Sequence, residues 1–66
     1  MTLDELAAIA REKKELVKIA KMTGDRDIMF SVANAYIDAI AAWHKIRYPH
    51  KKFYRPSPQA IIKAAR

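Results

Sequence analysis

Apolar residues recur at Leu3, Leu6, Ala10, Val17 and Ala20, spaced by threes and fours, with Ile9 and Leu16 beside them. That is the period of one face of an α-helix. Lys13 is the one break in the seam. Thr2 and Glu5 stand at the S/T-x-x-E spacing of a capping box, which fixes the start, and Asp4 and Glu5 sit at the positive end of the helix dipole. Lys18 and Lys21 favour the far end, where Gly24, the only glycine, suits a left-handed cap. The pattern predicts a first helix over residues 3–22.

A second helix follows almost at once. Asp25 is a suitable N-cap and Asp27 strengthens the first turn. Pro49 disfavours helical geometry at Tyr48, so the helix should span residues 26–47. At about 1.5 Å per residue both helices are about 30 Å long, and the short turn between them predicts an antiparallel hairpin.

The second helix has too much apolar surface for one partner. Ser31, Asn34, Asp38 and Lys45 form a narrow polar strip, while Ile28, Met29, Phe30, Val32, Ala33, Tyr36, Ile37, Ala39, Ile40, Trp43 and Ile46 occupy nearly all the rest. A surface helix normally needs an apolar stripe little wider than about 100°. Two further covers are expected. Ser57 before Pro58 opens a short helix over residues 58–66, carrying Ile61 and Ile62, which is too short to persist undocked. The other cover is a second copy of the chain, meeting the first through Phe30, Ala33, Ile37, Ile40 and His44 in a homodimeric four-helix arrangement. The alanines at 33, 35, 39, 41 and 42 would permit close approach. The expected architecture is therefore all-α and a single domain: a hairpin over residues 1–47, a connector over residues 48–57 and a short terminal helix.

Length and composition sharpen the case for assembly. A chain of 66 residues with no cysteine has neither disulfides nor thiolate metal sites to reinforce a small core, whereas its 52% hydrophobic content supplies surface for a partner. The N-terminus lacks the pattern of a secretory signal, and no apolar run reaches the ~20 residues of a membrane span. A cytoplasmic protein with no membrane partner is expected.

Charge adds the one pointer to function. The net charge is +6, but residues 1–38 hold six basic and seven acidic side chains, whereas residues 39–66 hold seven basic ones and no acid. Such asymmetry suits a polyanionic partner. Lys45, Arg47, Lys51, Lys52 and Arg55 alternate with Tyr48, Phe53 and Tyr54, a mixture that neutralises phosphates and offers rings to unpaired bases. Ser57 and Pro58 open the terminal helix, whose free N–H groups would receive a phosphate, with Arg55 just before it. The candidate nucleic-acid contacts are thus Lys45, Arg47, Lys51, Lys52, Phe53, Tyr54, Arg55, Ser57, Lys63 and Arg66, with DNA and RNA both open.

The competing readings are plainer. The basic residues would form a solvated face, and the aromatics would cap the bundle. Arg11, Lys14, Lys18 and Lys21 share an edge of the first helix that reads as ordinary exposed surface with an Arg11–Glu15 pair. Lys13 either snorkels or meets Asp38 across the hairpin. His44 and His50 lack metal-ligand spacing, and His44 reads as a packed or interface histidine. With one glycine and no serine–histidine–acid grouping, neither catalysis, a metal nor a cofactor is expected. Two functions follow: a non-enzymatic nucleic-acid-binding homodimer, or an inhibitor or adaptor that docks on an acidic protein surface.

Overall fold

A computed structural model describes residues 1–65 and shows three helices: α1 (Leu3–Thr23), α2 (Arg26–Arg47) and α3 (Pro58–Ala64). The third helix ends at Ala64 rather than at residue 66, because Ala65 is already extended at φ −71° and ψ 128°, and the expected contribution of Arg66 lies outside the described residues. The caps explain the boundaries. The Thr2 hydroxyl accepts the Glu5 N–H at 3.1 Å, as a capping box requires, but Glu5 bonds the Thr2 hydroxyl rather than its backbone N–H. The Asp25 carboxylate accepts the N–H groups of Asp27 and Ile28 at 3.0 and 3.2 Å. Between them Gly24 adopts φ 74°, the left-handed conformation that reverses the chain within two residues.

α1 and α2 pack against each other far more extensively than either packs on α3. Ala7 and Ala10 lie beside Tyr36, Ile40 and Trp43, so paired levels carry residue numbers that sum to about 50. The core is thin. Among the described residues only Leu6, Val17 and Ile37 are large and buried, with Ala20, Ala33, Ala39 and Ala65 filling between them. No charged or polar residue is buried with them.

The connector and α3 fold back over one face of the hairpin. Tyr48 packs edge-on against Trp43 at 6.0 Å, and His44 lies 5.3 Å from Tyr48 and 5.2 Å from Phe53. Arg55 then reaches Asp38 at 2.8 Å. α3 sits over the groove, with Gln59, Ile62 and Lys63 near Met29 and Phe30, and Ile61 and Ala64 near Lys14 and Tyr36. The Lys21 ammonium closes the end by donating to the Ala65 carbonyl at 2.8 Å.

This arrangement alters two expectations. Asp38 is paired with Arg55, not with Lys13, which is half-buried with its charge outside the core. Ala33 and Ile37 are 0% and 1% exposed within the single chain, so they are core positions with no surface left for a second copy. Phe30 and His44 are half-buried against the chain's own α3 and connector, and Ile40 is half-buried beside Ala7 and Ala10 of α1. The excess apolar circumference of α2 is thus partly covered from within.

The opposite face is bare. The molecule measures 37 × 21 × 17 Å, one helix long and two helices wide. With helices about 8–10 Å apart, that thickness holds the hairpin and a single partial layer on one side. Ile28, Ile46 and Leu16 remain 46%, 50% and 38% exposed. No helix among the described residues is long and apolar enough to cross a membrane.

Candidate nucleic-acid interface

The connector aromatics divide into packed and free. Tyr48 and Phe53 are half-buried in the cluster with Trp43 and His44, and the Tyr48 ring already carries the Arg47 guanidinium at 5.0 Å and the Lys51 ammonium at 5.3 Å. Phe53 is therefore a plug against His44 rather than a stacking platform. Tyr54 differs. It is 77% exposed, with only the Lys52 ammonium near its ring at 5.4 Å. One aromatic of the connector is presented to solvent as a base would need it.

The connector cations also divide. Lys45, Arg47, Lys51 and Lys52 are exposed and, among the described residues, none is in an ion pair. Arg55 is committed to Asp38, which neutralises it and ties the connector to α2. The start of α3 offers less than expected. Ser57 takes the Ala60 N–H on its hydroxyl and the N–H groups of Ala60 and Ile61 on its carbonyl, while Pro58 has no N–H to give. Only Gln59 keeps a free donor in that turn, so the phosphate site expected there is not formed. Ser57 is a cap.

Cations converge instead around the body of α3. Lys14 borders Ile61 and Ala64, Lys18 and Lys21 border Ala65, and Arg26 and Lys63 face each other across the groove beside Phe30. Arg11 lies on the same edge of α1 by helical spacing, one turn from Lys14 and two from Lys18. Glu15 is the one acid in this group and is paired with Lys18 at 3.2 Å, so the expected Arg11–Glu15 pair is replaced by Lys18–Glu15. Sequence reasoning placed Arg11, Lys14, Lys18 and Lys21 on one edge but had no means of seeing that α3 docks beside it. These side chains make the surface around α3 basic, and exposed Lys51 and Lys52 add positive charge in the connector.

Among the described residues no three histidine or acidic side chains gather as a metal would require. His44 is enclosed by Tyr48 and Phe53, and His50 is exposed in the turn after Pro49. Comparison with known proteins finds no matching family model, curated sequence or solved structure.

Proposed function

We propose that this protein is a non-enzymatic nucleic-acid-binding accessory protein that works as a homodimer and grips the phosphate backbone through the face formed by α3 and the connector. The observation that carries the reading is the convergence of Lys14, Lys18, Lys21, Arg26 and Lys63 around α3, with Lys51 and Lys52 exposed in the connector beside Tyr48 and Tyr54. Folding gathers cations from three separate stretches of chain around α3, where Glu15 is the acid that lines the same grooves and is itself paired with Lys18. Such a surface attracts a polyanion at long range and releases its counterions on contact. Tyr54 supplies one stacking ring, which adds affinity for unpaired bases without reading their sequence. Contacts of this kind to the phosphate backbone position the polymer and carry no sequence information of their own.

Fluorescence anisotropy with short labelled single-stranded RNA and duplex DNA tests the reading. About five neutralised phosphates give a log–log salt slope near −4.5 on duplex DNA, a loss of several hundred-fold between about 50 mM and about 200 mM salt. Substituting Lys51 and Lys52 by glutamine should flatten that slope by about two. Absence of binding to either polymer at the lower salt would transfer the basic face to an acidic protein surface.

A further inference from the structure

We infer that the bare face of the hairpin, opposite α3, is a self-complementary interface through which two copies pair antiparallel, α2 against α2. The inference takes up the dimer half of the proposed function and is independent of its nucleic-acid half. The face is defined by what surrounds it. On α1, the residues against α2 (Leu6, Val17, Ala20) separate the α3 edge from an opposite edge carrying Ile9 and Leu16. On α2, Ile28, Ala35, Ala42 and Ile46 lie opposite the edge that packs on α3 and the connector, with Val32 and Ala39 leaning into the α1 seam.

The occupant is read from the order of these residues. Positions 28, 32, 35, 39, 42 and 46 are spaced four, three, four, three, four, a heptad stripe that reads the same in both directions about residue 37. Turned end for end on itself, the stripe sets Ile28 against the partner's Ile46 and Val32 against the partner's Ala42, and brings Ala35 to the level of the partner's Ala39, which is buried in the partner's own α1 seam and so leaves room for close approach. Large residues meet at the two ends and small ones at the centre, where the helix axes must come closest. α1 obeys the same two-fold axis. The level of residue 37 on α2 corresponds to about residue 12 or 13 on α1, and Ile9 and Leu16 flank that level symmetrically, so each meets the other across the axis.

Charge supports the same register. Asp27 and Lys45 lie on the same outer flank of the stripe, both exposed, and among the described residues neither side chain is in an ion pair. Antiparallel pairing about residue 37 brings Asp27 within about one helical turn of the partner's Lys45, and the reverse pair forms by symmetry. A parallel dimer would set Asp27 on Asp27 and Lys45 on Lys45. In the antiparallel dimer both α3 faces point outward, and the two connectors lie about 27 Å apart along the helix axis, the length of the eighteen residues from 28 to 46.

Because the chain has no cysteine, introduced thiols report the register directly. Ile28→Cys and Ile46→Cys are prepared separately, both at half-exposed positions, and oxidised alone and as an equimolar mixture. The antiparallel dimer predicts a covalent species only in the mixture, since like positions are about 27 Å apart, far beyond disulfide reach. In parallel, light scattering on the unmodified chain should report about twice 7.6 kDa. Asp27→Lys should weaken that dimer about tenfold, and Lys45→Asp added to it should restore the affinity. A dimer mass without cross-linking in the mixture, or with cross-linking of a single variant alone, overturns this interface while leaving the homodimer in place. A monomer at micromolar concentration overturns both.

Discussion

Phe53 and Tyr54 are adjacent in sequence and opposite in role. The Phe53 ring lies 5.2 Å from His44 and seals the end of α2, so Phe53→Ala should cost about 1–2 kcal/mol, read as a lower melting temperature. Tyr54 is 77% exposed, so Tyr54→Ala should leave melting within about 0.5 kcal/mol. Its loss should instead weaken single-stranded RNA binding by about 1–3 kcal/mol, the contribution of one stacked base. A fall in stability for Tyr54→Ala with unchanged binding would remove it from the interface. Arg55 belongs to the same contrast. Its guanidinium already serves Asp38, so Arg55→Gln should weaken nucleic-acid binding less than Lys51→Gln or Lys52→Gln does in the same anisotropy assay. Basic residues of one short segment are equivalent in composition and unequal in availability.

At the scale of the elements, the helices were legible because local chemistry decides them. Thr2, Gly24, Asp25, Ser57 and Pro58 each mark a boundary through a cap or a turn that depends on neighbours within four residues; the bounds of α1 and α2 fall within a residue of the expected ones, whereas α3, which has no stop signal of its own, ends at Ala64 rather than at residue 66. The wide apolar girth of α2 was equally legible, as a demand for cover. Which arc the chain covers itself was not, because that depends on where the connector turns and α3 lands. Ile37 shows the consequence. It reads as an interface residue by periodicity, yet it is 1% exposed within the single chain. Ile37→Ala should therefore destabilise the fold by about 2–4 kcal/mol in thermal melts, through lost contacts and a residual cavity. It should still permit the disulfide between Ile28→Cys and Ile46→Cys variants under conditions where it remains folded. The basic surface around α3 was hidden for the same reason: Lys14 and Lys18 belong to α1, Arg26 to α2 and Lys63 to α3, and only docking makes them neighbours.

The whole molecule has two unlike faces. One is basic and built by α3, the connector and one edge of α1; the other is apolar and repeats itself end for end. Pairing through the apolar face turns two basic faces outward on opposite sides of the dimer, so a dimer should bridge two nucleic-acid segments. A bead-tethered duplex should then retain a second, labelled duplex only when protein is present. Asp27→Lys, which weakens pairing while leaving the basic face intact, should reduce that retention more than it reduces binding to a single duplex. The division of labour between the faces is most directly tested by titrating the isotope-labelled protein with a short duplex and following backbone amide shifts residue by residue. The account predicts that the largest changes fall on Lys14, Lys18, Lys51, Lys52 and Lys63 and their neighbours, while Ile28, Ala35, Ala42 and Ile46 stay still. Shifts concentrated on Ile28, Ala35, Ala42 and Ile46, or none around α3 and the connector, would contradict it.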